Sequence, residues 1–343
     1  MINQTDVENV VSRVDAEKLK NSTVLITGAT GFIGRNLVRV LQEIMKSGNR
    51  GKIIAICRSR DKAEQVFECL GQPQFLEICQ KDILSPMVIE GNVDYIIHAA
   101  SIAASKYFKS VPVNVICPNV FGTYNLLRLA EEKKVQSFLF LSSGAVYGDD
   151  SNAEHDLMEY ESFGIDALEP DNCYAISKKM GENLSVSFMR QYHVPVKIVR
   201  IAHTYGPGID LQDGHVYSDF VRDILENHNI HIKGTGQSKR PFCYISDAIA
   251  AILLVLLKGE CGHAYNMANN SQFLSIRQLA EKISYEIYPE KKLKVIMEGN
   301  SDESVGDEAK EVSIDTKQLE MLGWKPEVDI LEGFRKTVES FES

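Results

Sequence analysis

Short continuous apolar runs alternate with amphipathic stretches through the first two hundred residues, and that alternation specifies the architecture. Residues 5–20 place Val7, Val10, Val11 and Val14 on one helical face, with Thr5 or Asp6 as the cap. TVLIT at 23–27 is the kind of run that forms a strand buried on both faces, and glycines follow it at once. A helix begins near Phe32. KIIAIC at 52–57 reads as the second strand, 63–70 as a helix, FLEIC at 75–79 as a third strand and DYIIHAA at 94–100 as a fourth. A helix over about 113–133 precedes the strand SFLFLSS at 137–143, and a long helix over 173–192 precedes VKIVRI at 196–201. Strands and helices alternating at this spacing predict an α/β fold, a Rossmann-type doubly wound parallel sheet whose ligands bind at the carboxyl ends of the strands.

Past residue 207 the alternation fades into glycine, proline and short mixed segments, with helical patterns at 246–258 and 275–287. The reading assigns residues 1–206 mainly to a dinucleotide-binding domain and 207–343 mainly to a smaller C-terminal substrate-binding lobe. The two interleave, and the lobe covers the open edge of the sheet. A length of 343 residues, about twice that of one compact domain, accommodates both.

Composition narrows the function classes. With 44% hydrophobic and 24% charged residues the chain reads as a soluble enzyme, and a net charge of -10 argues against a nucleic-acid partner. A few arginines and helix N-termini still hold an anion locally. The longest apolar run, 248–257, is far short of the ~20 residues that span a bilayer, and the polar N-terminus lacks a secretory core. Seven cysteines, scattered and never in a CxxC pair, suggest neither a metal site nor a disulfide framework; reduced thiols and a cytoplasmic location are expected.

Between the first strand and its helix lies Thr27-Gly28-Ala29-Thr30-Gly31-Phe32-Ile33-Gly34. Gly28 permits a tight turn, Gly31 lets a pyrophosphate approach the backbone, and Gly34 lets helix and strand touch. The freed N–H groups at the helix start suit an anionic diphosphate. At the end of the second strand, where a carboxylate usually holds the adenosine ribose, the chain reads Cys57-Arg58-Ser59-Arg60. Two arginines and a serine suit a 2′-phosphate, which favours NADP over NAD; the other reading makes Arg58 and Arg60 solvated loop charges.

Ser143 ends a strand, and Tyr174 and Lys178 share one face of the long helix. A free tyrosine is a poor base at neutrality, its pKa being near ~10. A neighbouring ammonium, together with a positive nicotinamide ring, is expected to bring it towards working pH while Ser143 holds the same substrate oxygen.

The GxxGxxG spacing resembles the short-chain dehydrogenase/reductase superfamily. With HAAS (98–101), NVFGTYNLL (119–127), SSGAVYG (142–148), YAISKKMGE (174–182), RIAHTYGPG (200–208), KRPFCYISD (239–247) and LGWKP (322–326), the chain resembles an extended short-chain dehydrogenase. The likeness is to the nucleotide-sugar epimerase/dehydratase family and runs from about Thr23 to Trp324; DGHVYSDFV (213–221) and HIKGTGQSKRPFCYISD most resemble UDP-glucuronate decarboxylases. The resemblance implies a nucleoside-diphosphate sugar oxidised or reduced at C4 by bound nicotinamide. It also implies that Thr30, Phe32, Ile33, Asp82, Ile83, Ala99, Ala100 and Ser101 contact the cofactor and that Arg240 clamps the sugar-nucleotide diphosphate. A homodimer through the helices at 113–133 and 173–192 is implied as well.

Two departures bear on the reaction. Decarboxylases of the family carry a glutamate two residues after the strand-end hydroxyl, and 4,6-dehydratases an aspartate-glutamate pair; Gly144-Ala145 stands there and moves no proton. His203 replaces the family's asparagine before the YGP turn, either as a phosphate donor or as a satisfied structural histidine. A 4-epimerase is the expected activity. The alternatives are an NADPH-dependent 4-ketosugar reductase, a decarboxylase or dehydratase with relocated acid/base groups, and a non-catalytic dinucleotide-binding regulator.

Overall fold

The apolar runs become parallel strands because each is long enough to cross a sheet and apolar enough to be covered on both sides. The computed structural model describes every residue except 47, 49–50, 72–73, 149–154, 299–312 and 343. Its main sheet comprises β1 (Thr23–Thr27), β2 (Lys52–Cys57), β3 (Leu76–Gln80), β4 (Tyr95–His98), β5 (Ser137–Ser143), β6 (Val196–Ile201) and β7 (Ala264–Met267). Their spatial order is β7-β6-β5-β4-β1-β2-β3, every neighbouring pair parallel. Connections run outward in opposite directions from β1 and β4, so the crevice at their carboxyl ends is the switch point where such sheets bind ligands.

Alternate residues of β1 feed two cores. Val24 and Ile26 face one that includes α1 (Gln4–Arg13), α2 (Phe32–Met45) and α7 (Ile245–Lys258). Leu25 faces the other, under α4 (Thr123–Lys133) and α5 (Cys173–Tyr192). Both α7, buried along nearly its whole length, and β7 come from beyond residue 207. The second half of the chain thus supplies an edge strand and a covering helix to the nucleotide-binding sheet itself. The rest of it forms two-stranded pairs, among them Ile230–Lys233 with Val295–Glu298, around α6 (Val216–Leu225).

Three predicted helices differ in detail. The leader helix is capped by Asn3, whose Oδ1 accepts from the Asp6 N–H at 2.9 Å, and it ends at Arg13. Asp6 is drawn inward to accept from the Tyr244 hydroxyl (2.8 Å) and Lys336 (2.7 Å). The helix over 113–133 is an α segment Pro112–Cys117, a π turn Pro118–Gly122 and then α4, because Pro118 has no N–H to continue the ladder. The helix over 275–287 starts with a Ser275/Gln278 capping box and passes into a π turn at Ile283–Ile287.

The buried Asp247 carboxylate fastens the chain's two ends. It accepts from Arg13 at 2.6 Å and from the N–H groups of Glu327 and Val328 at 3.0 Å each, while its backbone carbonyl accepts from Trp324 Nε1 at 2.9 Å. Asp247→Ala removes the closest ion-pair partner of a largely buried guanidinium and the acceptor of two N–H groups, and is expected to cost about 3–5 kcal/mol. Denaturant titration checks this, and an unchanged midpoint would contradict the tether.

Candidate active site

The glycine loop is shaped by close backbone approach. Gly28 has φ +66°, and a Cβ there would lie 2.8 Å from the Ala100 backbone; a Cβ on Gly34 would lie 2.2 Å from the Gly28 carbonyl oxygen. Gly31 is exposed and keeps the loop's outer face open. Beneath it the Thr27 hydroxyl lies 2.8 Å from His98 Nδ1 and accepts from the Ala100 N–H at 3.3 Å. His98 Nε2 lies 3.2 Å from the Pro118 carbonyl, which can only accept, so Nε2 carries the proton and Nδ1 receives the Thr27 hydroxyl. Burial, helped by the Lys178 charge, holds the His98 pKa down at about 3, so the imidazole acts as a neutral strut. Ser101, on the same wall, has a buried hydroxyl with no partner among the described residues. A cradle open at Gly31, closed to side chains at Gly28 and Gly34, and carrying an unspent hydroxyl fits a dinucleotide.

The adenosine end differs from the arrangement expected for a 2′-phosphate. α3 (Arg60–Phe67) starts here, and Ser59 is its cap, its Oγ accepting from the Lys62 N–H at 3.2 Å. Arg60 turns back to donate to the Ile78 carbonyl at 2.8 Å and lies 3.6 Å from Glu64. Arg58 is exposed, and Cys57 is buried, which pushes its thiol pKa up. Asp82 is exposed and accepts from the Leu84 N–H at 3.0 Å, while Ile83 is buried against Gly122.

Three successive turns of α5 meet three successive residues of β5. Lys178 Nζ donates to the Leu141 carbonyl at 2.6 Å, Ser142 donates to Glu182 Oε1 at 2.6 Å, and the Ser143 hydroxyl is the hydrogen-bonding neighbour of the Tyr174 phenol. Phe108 stacks on Tyr174 with centroids 5.0 Å apart. Burial lowers the Lys178 pKa to about 7 against the opposing pull of Glu182. Burial raises the Tyr174 pKa, and only Ser143 opposes it. The expected lowering of the phenol is therefore not supplied among the described residues. Lys178 is turned onto Leu141, 5.9 Å from the Tyr174 ring centre and 4.9 Å from that of Phe140, and desolvation outweighs it.

His203 and Arg240 lie together on the opposite wall. His203 has φ +33° and reaches solvent from deep in the cleft; its surroundings, then Arg240 and His215, bring its pKa to about 3, so the ring is neutral. Arg240 is half-buried and donates to the Lys239 carbonyl at 2.7 Å. Gly144 and Ala145 present no titratable group, and among the described residues a Cβ on Gly144 would meet only Ile314, at 3.5 Å.

The sequence reading missed several cleft residues. His215 stacks on Tyr217 (5.1 Å, 7°) and holds Nδ1 3.0 Å from Asp213 Oδ2; Tyr217 is close enough to Tyr174 to feel its charge. The run DGHVYSDFV was noted only for family likeness, and no periodicity marks a loop histidine as facing a distant tyrosine. Glu182 and Arg200 were also missed, although Glu182 continues the Tyr174/Lys178 spacing by one more turn.

Comparison with known proteins follows the same lines. The model of the NAD dependent epimerase/dehydratase family matches residues 24–268. UDP-glucuronic acid decarboxylase 6 of Arabidopsis thaliana is 31% identical over 322 residues, covering 94% of this chain and 89% of the relative. UDP-glucuronic acid decarboxylase 1 of Xenopus tropicalis is 30% identical over 319 residues, covering 93% and 72%. An epimerase structure from Methanothermobacter thermautotrophicus superposes with TM-score 0.81 at 21% identity over 97% of this chain and 95% of that one. The UDP-glucuronic acid 4-epimerase of Bacillus cereus, in complex with UDP-glucuronic acid and NAD, gives 0.75 at 22% identity over 93% and 99%. The chain belongs to the NAD dependent epimerase/dehydratase family, as the resemblance in its motifs implied.

Gly34→Ala forces a methyl into the Gly28 carbonyl. An overpacking cost of about 1–3 kcal/mol on the loop predicts roughly ten- to hundredfold weaker NAD binding. Isothermal titration of cofactor-free protein measures it, and wild-type affinity would remove the loop from the cofactor site.

Proposed function

We propose that this family member oxidises and re-reduces C4 of a UDP-sugar with tightly bound NAD, and acts as a 4-epimerase. The observation that carries the reading is the Ser143, Tyr174 and Lys178 seam beside a Gly144-Ala145 turn that moves no proton. Such a site serves alcohol–ketone exchange and lacks, on that turn, the acid/base group that elimination needs. Gly28, Thr30, Gly31, Phe32, Ile33 and Gly34 would hold the cofactor's diphosphate, Asp82 and Ile83 its adenine end, and Ala99, Ala100 and Ser101 the wall beside it. When bound, NAD supplies a hydride acceptor that returns the hydride to C4.

Ser143 and Tyr174 hold the C4 oxygen. Tyr174 would take the C4 hydroxyl proton during oxidation, its phenolate form favoured by the positive charge of Lys178 together with that of the bound nicotinamide ring. After the sugar turns, Tyr174 would return that proton to the C4 oxygen during re-reduction. His203, a neutral donor, and Arg240 would hold the sugar nucleotide's diphosphate. NAD is preferred over NADP because Ser59 and Arg60 are engaged within the protein, which leaves only Arg58 for a 2′-phosphate. That choice also disfavours the reductase, which needs an exchangeable NADPH.

A decarboxylase is the second reading, favoured by the identity of the curated relatives over 94% of the chain. It requires a proton source other than residues 144–145. The exposed Val113, Phe121, Tyr124 and Met180 support a homodimer through the helical face that carries them, and seven free thiols suit a cytoplasmic location.

Purified protein is expected to interconvert a UDP-sugar and its C4 epimer without added nicotinamide, followed by NMR of the anomeric protons. Loss of carbon dioxide from UDP-glucuronate would instead select the decarboxylase, and stoichiometric NADPH oxidation with a 4-keto sugar the reductase. Tyr174→Phe should lower turnover roughly 100- to 10,000-fold while leaving copurified cofactor nearly unchanged; undiminished turnover would remove Tyr174 from the chemistry.

A further inference from the structure

Glu182 lies one turn beyond Lys178 on α5, and its carboxylate accepts three hydrogen bonds. Oε1 accepts from Ser142 (2.6 Å) and from Arg200 Nε (2.9 Å), and Oε2 accepts from Arg200 Nη2 (2.8 Å). All three residues are at least nine-tenths buried. Arg200, on β6, also donates to the Glu159 carbonyl at 2.8 Å and lies over the Tyr147 ring at 4.9 Å. The carboxylate so held shares a helical face with Lys178, at the i,i+4 spacing that makes side chains neighbours. Its other bond lands on Ser142, between the Leu141 carbonyl that takes Lys178 and the Ser143 hydroxyl that faces Tyr174.

We propose that Glu182, clamped by Arg200 and Ser142, is a positioning residue that seats the 141–143 edge on α5 and holds an anion one helical turn from the Lys178 amine. This rests on the reading that Tyr174 and Lys178 form the working pair. The groups around Lys178 leave few other sources for that charge. On α5 they are Tyr174 and Glu182, with the half-buried Lys179 beside the same Glu182–Arg200 pair and donating to the Phe163 carbonyl; β4 brings the neutral His98, β5 the Leu141 carbonyl and the two serines, and β6 Arg200, bonded to Glu182. Among the described residues Glu182 is the anion that opposes the burial of Lys178, and that burial alone drives the amine towards its neutral form.

The test needs a variant that folds. Glu182→Gln alone would leave Arg200 buried without its anion, so Glu182→Gln is paired with Arg200→Gln, which removes both charges and keeps a neutral hydrogen-bonding pair. Holoprotein labelled with 13C at lysine Cε is titrated by NMR, with the Lys178 signal assigned through Lys178→Arg. The midpoint is expected to fall by about one pH unit or more in the double variant, roughly a tenfold loss of the ammonium form. The alkaline limb of C4 turnover should shift to lower pH by the same amount.

An unchanged Lys178 midpoint overturns the proposal, as does a double variant that no longer folds, since Glu182–Arg200 would then be a structural pair only. A shifted midpoint in a protein without C4 turnover supports the role of Glu182 and sinks the proposed function. Turnover with an unmoved midpoint does the reverse.

Discussion

The buried pair of Glu182 and Arg200 is the joint on which the site depends. Taking either ion out of water alone would cost several kcal/mol, and the pair is tolerable because the guanidinium meets both carboxylate oxygens and Ser142 adds a third bond. Burial pulls the Arg200 pKa down and its bonds to Glu182 more than reverse that, so the guanidinium stays charged inside the protein. The geometry that results joins helix α5 to the two adjacent strands β5 and β6. Strand residues 141, 142 and 143 advance along the sheet while helix residues 178, 182 and 174 lie on one face, and the three contacts hold only if helix and strand keep one register. Gly181 enforces the approach from the other direction, since a Cβ there would sit 2.4 Å from the Phe140 ring.

The same dry interior sets the electrostatic character of the cleft. Burial neutralises His98 and His203 at about 3, brings Lys178 to about 7, and raises the phenol of Tyr174. The cleft is therefore lined by the neutral imidazoles of His98 and His203 and by hydroxyls, with Arg240 as a cation among them. A net charge of -10 is compatible with anionic ligands in such a cleft, because oriented N–H and O–H groups can take the place of bulk positive charge.

The second half of the chain is structurally inseparable from the first. It contributes the edge strand β7 and the covering helix α7, and it holds the N-terminal helix through Asp247 to Arg13 and Lys336 to Asp6. The cleft lies between parts of one continuous core, so the wall with His203, His215 and Arg240 is fixed relative to Tyr174 by the sheet.

The strands were legible because a run of apolar residues too short for a helix has few other uses, and β1, β2, β5 and β6 have the predicted bounds. The glycine loop and the Tyr174/Lys178 spacing were legible because both depend on local geometry: a turn that excludes Cβ atoms, and a helical repeat. What remained hidden depended on residues distant in sequence or on competition between partners. Ser59 and Arg60 had chemistry suited to a phosphate, but a helix cap and a strand carbonyl lay closer. The break in the helix at Pro118 required knowing that the chain continues helically past it. The Glu182–Arg200 joint, the approach of Asp213 and His215 to the cleft, and the direction of the Tyr174 shift depend on burial. Burial belongs to the packed molecule, because a charge's free energy is decided by what surrounds it in space and not by its neighbours along the chain.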